Sequence, residues 1–401
     1  MSDKILNQIR IMDLSRVLAG PWATQLLADY GAEIIKIENP VNGDSTRKWG
    51  PPWNENDDQR NASYYYSANR GKFSLTCDLK STEGQSIIKD LAKHCDVVVE
   101  NFKYGTMDRY GLSIEQLREV NPNLIYCSIT AYSNDSSLKK ELGYDAMIQA
   151  SAGLMSITGE KKGKPQKVGV AVADIMTGMY AASAILASLY QRSITGIVQD
   201  INVPLYDTQV AWLANQNMNF LMSNEVPSKN GNAHPNIAPY QTFSTSDGDI
   251  MVAVGSDDQF LRFMTSIGCD DQNIINKFKR NEQRVEKIDE LDSIISKIMI
   301  KKTTSKWLHE LKKNHIPCGP INNISEVFGS DYANEMGFVC YGQNSTDKLV
   351  PTVKNPVKFS KHEVNYKLAS PNHGEHKHEI LSNLLGYTED AIIELENKKV
   401  I

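Results

Sequence analysis

The sequence predicts an α/β protein in which a parallel sheet is covered by helices on both faces. Within the first 200 residues, short runs rich in Ile and Val alternate with segments of helical periodicity. Such alternation is typical of a parallel sheet, because each helix carries the chain back over the sheet to the next strand. Near residue 225 the pattern changes to a segment rich in Asn, Gly and Pro, which indicates a second, smaller α+β domain.

Four strand-like runs support the parallel sheet. They occupy residues 33–38, 96–101, 124–130 and 199–203. Two helices between them begin at recognisable capping boxes, over residues 82–85 and 113–116, where Ser or Thr is followed three residues later by Gln. In such sheets ligands gather at the carboxyl ends of the strands, where loops lead into helix N-termini.

The rest of the chain predicts a second domain and a C-terminal return. A hairpin is predicted over 240–255, helices over 276–301 and 305–314, an extended run over 349–360, and helical segments over 374–385 and 388–398. We therefore expect a large domain over 1–200, a linker over 201–224, a small domain over 225–325, and a return to the large domain over 326–401.

Composition and charge exclude several classes of function. Hydrophobic residues make up 41% of the 401 residues, which is ordinary for a globular protein. A net charge of −5 without basic runs argues against nucleic acid as a partner. The six cysteines form no C-x-x-C pair, the N-terminus lacks a signal-peptide pattern, and the longest apolar helical stretch, near 181–190, is too short to span a bilayer. We expect a cytoplasmic protein with no membrane association and no metal site.

Asp174 is the candidate nucleophile. It lies between the small-residue stretch 169–173 and a helix-like segment. The simplest interpretation is a helix N-cap, because an Asp there accepts hydrogen bonds from the first free amides. The catalytic interpretation is that an Asp with the ordinary pKa of about 3.9 is an anionic oxygen nucleophile at neutral pH. The free amides of the helix start would then stabilise an oxyanion beside it.

Other candidates lie in loops that follow predicted strands. The run from Asp13 to Pro21 is a strand end, a loop and a helix start, with Pro at the first helical position. Lys72, Lys103 and Arg109 lie in similar segments, where cations contact phosphates. Taken singly, each of these features is equally explained as a plain connection or a solvated charge.

Several motifs together resemble one family. In chain order they are Asp13-Leu-Ser-Arg-Val-Leu-Ala-Gly-Pro, Gly31-Ala-Glu-Ile-Ile-Lys-Ile-Glu, Gly43-Asp, Asn69-Arg-Gly-Lys, Asp78-Leu-Lys-Ser-Thr-Glu-Gly, Val98-Val-Glu-Asn-Phe, Gly143-Tyr-Asp, Ser151-Ala-Gly-Leu-Met-Ser-Ile-Thr-Gly, Val172-Ala-Asp-Ile-Met-Thr-Gly and Gly374-Glu-His-Lys-His-Glu-Ile-Leu. This ordered set resembles the class III CoA-transferases, the family of the formyl-CoA and carnitine-CoA transferases, over essentially the whole chain.

The resemblance implies a fold, an activity and a set of site residues. The fold is a Rossmann-like large domain completed by the C-terminal tail, plus a smaller α+β domain, in two subunits that interlock as a homodimer. The activity is transfer of CoA from an acyl-CoA donor to a free carboxylic acid, with the thioester as substrate and no cofactor. The family's nucleophile matches Asp174. Its CoA-contacting residues match Val17, Leu18, Ala19, Gly71, Lys72, Phe73, Ser74, Asn101, Phe102, Lys103, Arg109, Tyr144 and Asp145.

Two departures from the family pattern bear on the subgroup. Gly196-Ile-Val-Gln199 replaces a Gly-Arg-Gly-Gln run found in many members, which puts cation support in that linker in doubt. The run 231–241 replaces the glycine-rich loop of formyl-CoA transferase and looks more like the succinyl-CoA-dependent dicarboxylate transferases, such as the one acting on glutarate. In it, His234, Tyr240 and Gln241 are candidates for acid recognition, although local structure explains them equally well.

Two alternative functions stay open from the sequence. A 2-methylacyl-CoA racemase or epimerase shares the family fold but transfers a proton with a His beside an Asp. This chain has Tyr144 at that place, and a phenol with a pKa of about 10 is a poor base at neutral pH. A catalytically silent CoA-binding protein is the other alternative, and such a protein would not need Asp174.

Overall fold

The computed structural model describes residues 5–55, 59–344 and 348–401, which form two units. The first unit contains Met1–Leu154, Val168–Met218 and Gly337–Ile401, and the second contains Met155–Lys167 and Asn219–Met336. The segment Met155–Lys167 groups with the second unit because Gly159 O accepts a hydrogen bond from Gly231 N and Lys161 pairs with Asp289 at 2.8 Å. The sequence-based scheme places this segment within 1–200.

A six-stranded parallel sheet forms the centre of the first unit. Its strands are β1 (Arg10–Asp13), β2 (Glu33–Glu38), β3 (Lys72–Thr76), β4 (Val97–Glu100), β5 (Ile125–Thr130) and β6 (Asp200–Pro204). They lie in the order β3-β2-β1-β4-β5-β6, and neighbouring strands run parallel. This is the Rossmann strand order, so the predicted fold class is confirmed. The order reverses between β1 and β4, and their carboxyl ends form the switch point of the sheet.

Helices cover both faces of this sheet. Up to residue 225 the helices of the chain are α1 (Ala19–Asp29), α2 (Ser63–Tyr66), α3 (Thr82–Ala92), α4 (Thr106–Arg109), α5 (Ile114–Val120), α6 (Asp145–Ser151), α7 (Leu154–Ile157), α8 (Val172–Thr195), α9 (Leu205–Ala211) and α10 (Asn215–Ser223), with a 3-10 turn at Ser45–Lys48; parts of α7 and α10 belong to the second unit. Buried side chains of α3 and α5 fill the core on one face, and those of α1 and α8 fill the core on the other.

The predicted helix starts are right in one case and displaced in two. Ser113 and Gln116 form the predicted capping box, with both reciprocal hydrogen bonds present. Helix α3 is capped one residue earlier than predicted, because Ser81 rather than Thr82 accepts from Gly84 N. Pro21 is the third residue of α1 rather than the first, since the helix already begins at Ala19.

The second unit is built on a three-stranded antiparallel sheet. Its elements are β7 (Tyr240–Ser244), β8 (Asp249–Ala253), α11 (Asp257–Ser266), α12 (Gln272–Lys277), α13 (Asn281–Glu286), α14 (Ile288–Met299), α15 (Thr304–Lys313), β9 (Cys318–Pro320), α16 (Ile324–Gly329) and α17 (Asp331–Met336). The predicted hairpin is confirmed by the pairing of β7 with β8. The single helix predicted over 276–301 is wrong, because the chain breaks after α12, where the buried Arg284 donates to the freed carbonyls of Phe278 and Lys279.

The C-terminal segment covers the open edge of β3. It contains β10 (Val339–Gln343), β11 (Leu349–Val353), a π-helical turn at Glu379–Leu384 and α18 (Glu389–Asn397). His376 N donates to Ser74 O at 2.9 Å, and Asp78 N donates to Val400 O at 2.7 Å. From Gly337 onward the tail therefore belongs to the large domain and protects a strand edge from pairing with another chain, whereas residues 326–336, which the sequence-based scheme places in the same return, group with the second unit.

Helix α8 is longer than its apolar pattern suggested. It runs from Val172 to Thr195, whereas the sequence predicts a short apolar stretch near 181–190. By length and composition it is apolar enough to cross a membrane, but a core helix passes the same test, and 44% of its most apolar window is buried. Residues Ala181, Ile185 and Leu189 of α8 pack in the core between α1 and the sheet.

Close contact between α1 and α8 requires a glycine at position 178. A Cβ added there would lie 2.6 Å from Ala19 O and 3.2 Å from Trp22. A backbone oxygen cannot move aside cheaply, so Gly178→Ala is expected to lower the free energy of unfolding by about 2 kcal/mol, even though Ala favours helix by up to about 1 kcal/mol. Chemical denaturation measures this, with Ser183→Ala on the exposed face of α8 as the control. A Gly178→Ala protein as stable as the wild type would contradict the packing.

Candidate functional site

The switch point of the sheet is closed by a pair of hydrogen bonds between two loops. Asn101, which follows β4, accepts from Arg16 N at 2.9 Å and donates to Arg16 O at 2.7 Å. The Arg16 guanidinium lies 4.9 Å from the centre of the Phe102 ring. The two loops to which the sequence assigned CoA contacts, one after β1 and one after β4, are therefore held together.

Val17 in the first of these loops has a strained backbone. Its φ of 72° lies in the left-handed region, which a β-branched residue rarely adopts. The Asp44 carboxylate accepts from Val17 N at 3.2 Å and is itself held by the Lys36 ammonium at 3.0 Å. Both Lys36 and Asp44 are fully buried. Strain of this kind is retained where the surroundings impose it, often at a ligand-binding loop.

Lys72 is part of a buried network and not of an open surface. Its ammonium donates to Asp13 Oδ2, Pro21 O and Asn69 Oδ1, at 3.0–3.1 Å, which uses all three of its protons. Burial lowers the pKa of Lys72 to about 8 against the opposing charge of Asp13, so the pair is ionised at neutral pH. The Lys72 side chain is therefore not available to a CoA phosphate, which corrects that expectation; a contact through its backbone stays a prediction.

The remaining CoA-contact candidates differ in accessibility. Leu18 and Ala19 are buried at the start of α1, and the Ser74 hydroxyl is buried against Glu38. Gly71 has a positive φ and Phe73 is half-buried against His376. The exposed candidates are Lys103, Arg109 and Tyr144, the last of which is 64% exposed. Of the three predicted cations, the structure thus leaves Lys103 and Arg109 in a position to meet solvent-borne phosphates.

Asp174 is not the N-cap of α8. It is the third residue of the helix, and the N-cap position is occupied by Ala171, which makes no side-chain cap. The cap comes from Asp145 in the first turn of α6, whose Oδ1 accepts from Ala173 N at 2.7 Å and from Asp174 N at 3.2 Å. The interpretation of Asp174 as a helix N-cap is therefore wrong. The expected oxyanion role of these amides is wrong as well, because Asp145 occupies them.

The environment of Asp174 favours its neutral form. Burial, and then the charge of Asp145, raise the pKa of Asp174 to about 7. The carboxyl group is thus only about half ionised at neutral pH, in contrast to the ordinary Asp assumed from the sequence. Within the described residues no hydrogen-bond donor reaches its side chain, which leaves the carboxyl free to react.

Tyr64, which the sequence did not single out, lies close enough to Asp174 and Asp145 for their charges to act on it. Burial and the charges of Asp174, Asp145 and Asp44 raise the pKa of its phenol. The phenol therefore stays protonated and can donate a hydrogen bond in the neighbourhood of both carboxylates. Its run of three tyrosines in α2 gave no spacing that would single it out.

Glu100 is a second missed residue, at the end of β4. Its Oε2 accepts from Phe102 N at 2.7 Å, in the loop after β4. Burial raises the pKa of Glu100 to about 7, although hydrogen bonds from Ser128 and Phe102 oppose the shift. A cavity of about 310 Å³ lies beside it, lined in part by Tyr126, Ser128 and Asn202. A carboxyl group directly after three valines, at the end of a buried strand, is the sequence signal that could have singled it out.

The acid-recognition candidates lie in the second unit and face two directions. His234 N donates to Tyr240 O at 2.9 Å, and the two rings are 5.3 Å apart. The Gln241 side chain instead lies near the Asp292 carboxyl group and partly offsets the burial that raises the pKa of Asp292. Neighbouring residues of a strand point to opposite faces, so Tyr240 and Gln241 cannot serve one pocket together. Their role in acid recognition stays a prediction.

Comparison with known proteins decides the family. The sequence pattern of CoA-transferase family III matches residues 6–377 of this chain. The chain belongs to CoA-transferase family III. It is an enzyme that transfers CoA between an acyl-CoA donor and a carboxylic acid acceptor, which confirms the activity predicted from the sequence.

Two relatives that align with nearly the whole chain carry the names of dicarboxylate CoA-transferases. The chain is 44% identical to a succinate–glutarate CoA-transferase of Agrobacterium fabrum, over 94% of this chain and 95% of that protein. It is 39% identical to the human succinyl-CoA:glutarate CoA-transferase, over 99% and 90%. A solved structure of a CAIB/BAIF family protein from Brucella suis superposes with a TM-score of 0.85 at 40% identity, over 96% and 100%. Within the described residues, this family III enzyme has no group of three His, Cys, Asp or Glu side chains placed to hold a metal ion.

Proposed function

We propose that this enzyme moves CoA from succinyl-CoA to a second dicarboxylic acid of the size of glutarate, with Asp174 as the covalent nucleophile. The observation that carries the nucleophile is a half-buried carboxyl group in the first turn of a core helix with no internal hydrogen-bond partner among the described residues. The names of the two dicarboxylate transferases, which match nearly the whole chain, support the substrate class.

The proposed reaction balances without a cofactor or a net proton. The Asp174 carboxylate attacks the thioester carbonyl, the carbon–sulfur bond breaks, and CoA leaves as a thiolate beside a mixed anhydride. The thiolate attacks the aspartyl carbonyl and releases succinate, which leaves an aspartyl-CoA thioester. The acceptor carboxylate attacks that thioester to form a new anhydride and thiolate, and the thiolate then takes the acceptor acyl group and frees Asp174. Because the CoA thiolate stays bound beside the aspartyl carbonyl, its attack on that carbonyl is accelerated by proximity.

Each attack on a carbonyl forms a tetrahedral intermediate with negative charge on its oxygen, and a hydrogen-bond donor is needed to stabilise that charge. The start of α8 is excluded as the donor, since Asp145 already accepts from Ala173 N and Asp174 N. Tyr64 supports an alternative, because its phenol is kept protonated and lies within the electrostatic influence of Asp174. We therefore assign the hydrogen bond to the oxyanion to Tyr64.

The transfer rate is expected to rise with pH between 6 and 8. Only the ionised form of Asp174 attacks, and its pKa is raised to about 7 by burial and Asp145. At pH 6 about one tenth of the enzyme is ionised, so kcat should be about tenfold below its plateau. A pH–rate profile of initial rates at saturating substrate measures this. A flat profile between pH 5.5 and 8 would contradict the role of Asp174.

Substrate class is tested with a panel of acids. Purified enzyme is incubated with succinyl-CoA, acetyl-CoA or glutaryl-CoA and a series of mono- and dicarboxylic acids, and new thioesters are separated by liquid chromatography. The proposal expects highest kcat/KM for a dicarboxylic acceptor. A preference for monocarboxylic acids would overturn the substrate class. Deuterium uptake at the α-carbon without an acceptor would instead favour the racemase alternative, and CoA binding without exchange would favour the silent binding protein.

The homodimer and the cytoplasmic location also belong to this proposal. Met179, Tyr180, Tyr190 and Ile194 form an exposed, largely apolar stripe on α8, which is suited to contact with a second copy of the chain. The six cysteines are free thiols, which suits a reducing compartment. Light scattering at micromolar concentration would report a dimer mass if the stripe is an interface.

A further inference from the structure

The start of helix α8 depends on a side chain from another helix. Ala171 has no oxygen with which to cap the helix, and Asp145 Oδ1 takes that role by accepting from Ala173 N and Asp174 N at 2.7 and 3.2 Å. The other oxygen, Oδ2, accepts from Gln149 Nε2 at 2.6 Å. Gln149 is fully buried, and its own Oε1 accepts from Val168 N at 2.9 Å. Asp145 therefore connects the buried side of α6 to the backbone of Asp174.

This arrangement argues against a direct contact between Asp145 and CoA. Both carboxylate oxygens already accept hydrogen bonds within the protein. A carboxylate also repels the phosphates of CoA, and it has no proton to offer them when ionised. The placement of Asp145 in the CoA pocket, which the family resemblance implied, thus has a different physical explanation.

The position of Asp145 has two consequences for Asp174. By holding two consecutive amides, it fixes the backbone from which the Asp174 side chain projects. It also places a second negative charge beside a half-buried carboxyl group, and like charges at short range disfavour ionisation. Asp145, from α6, is the charged group that acts on Asp174, and both carboxylates, together with Asp44, act on Tyr64, from α2.

We propose that Asp145 is a positioning residue for the transfer reaction: it holds the backbone of Asp174 through two amides of α8 and keeps a negative charge beside its carboxyl group. This inference rests on the proposed role of Asp174 as the nucleophile. Asp145 supplies the geometry without supplying a donor to the Asp174 side chain.

Asp145→Asn separates the two effects, because the amide keeps an acceptor oxygen but loses the charge. The acid limb of its pH–rate profile should move to lower pH by roughly half to one unit, since the repulsion on Asp174 is gone. Its KM for succinyl-CoA should stay within about twofold of the wild type. Asp145→Ala also removes the acceptor, so its kcat should fall about 10- to 100-fold at all pH values, again with little change in KM.

The experiment measures pH–rate profiles and KM for wild type, Asp145→Asn and Asp145→Ala, with Glu141→Gln as the control for loss of a nearby exposed charge. Circular dichroism and a thermal melt check that each variant is folded, and Asp145→Glu, which keeps the charge but displaces the acceptor oxygens by one methylene, replaces Asp145→Ala if that variant does not fold. An unchanged profile in Asp145→Asn would overturn the effect of the charge. An unchanged kcat in the variant without a placed acceptor, or a rise in its KM instead, would overturn the positioning role. If the wild type forms no covalent intermediate on Asp174, the proposed function fails and this inference fails with it; if the wild type does form it, only the role of Asp145 is at stake.

Discussion

Asp174→Asn is expected to abolish CoA transfer while leaving the enzyme folded. The amide keeps the shape of the side chain but is not a nucleophile, so kcat should fall by roughly three to six orders of magnitude. The same change should stabilise the fold at pH 8. The pKa of Asp174 is about 7 in the folded state against an ordinary 3.8, so its contribution to stability is present below pH 3.8 and is lost as pH rises through 7. Asn removes that cost, which is roughly 1–3 kcal/mol.

Two measurements check this prediction together. Initial rates of transfer give the loss of activity, and urea denaturation at pH 5 and pH 8 gives the change in stability. Asp174→Glu is the matched control, because it keeps a carboxylate but displaces it by one methylene, and it should retain measurable activity. An Asp174→Asn enzyme with more than about 1% of wild-type activity, after deamidation is excluded by mass spectrometry, would rule out the nucleophile.

Lys72→Met is expected to have the largest effect on stability. Lys72 and Asp13 are both fully buried and their charged atoms lie 3.1 Å apart. Removal of one partner leaves the other charge uncompensated in the core, which costs about 3–5 kcal/mol. The pair also supports α1, because Lys72 Nζ donates to Pro21 O and Thr24 Oγ1 donates to Asp13 Oδ2. The loss of stability should therefore extend to the loop before α1, which contains Val17.

Lys103→Met is the matched control for Lys72→Met. Lys103 is exposed in the loop after β4, so its replacement should change the unfolding free energy by less than about 0.5 kcal/mol. If Lys103 contacts a CoA phosphate, the Lys103→Met enzyme should instead show a higher KM for succinyl-CoA than the wild type. The double variant Asp13→Asn/Lys72→Met should recover part of the stability, since no buried charge is then left alone. Equal stability of Lys72→Met and the wild type would show that Lys72 is not the structural residue described here.

Sequence patterns gave four of the six strands of the sheet because their signals are local, whereas β3 was not among the predicted runs and β1 was marked only by its end at Asp13. The runs of Ile and Val gave β2 with its observed bounds, Glu33–Glu38, and β4 and β5 within a residue or two. Capping residues gave the start of α5. The helix predicted over 276–301 failed because the break is fixed by Arg284, a contact that the local pattern cannot reveal.

The candidate site was predictable by residue type but not by environment. Asp174 was identified from its motif, yet its raised pKa depends on burial and on Asp145, which lies 29 positions away in the chain. Lys72 looked like a phosphate-binding cation in a loop, but its strand turns the ammonium toward Asp13. Asp44 belonged to a quoted motif and acquired a role only when the structure placed it at the amide of Val17.

The most direct test of the account is mass spectrometry of the intact enzyme mixed with succinyl-CoA in the absence of an acceptor acid. We predict a mass increase equal to CoA minus water, which maps to the peptide containing Asp174, disappears on addition of glutarate, and is absent in Asp174→Asn. Transfer activity without any adduct on that peptide, or an adduct that persists in Asp174→Asn, would contradict the covalent role of Asp174.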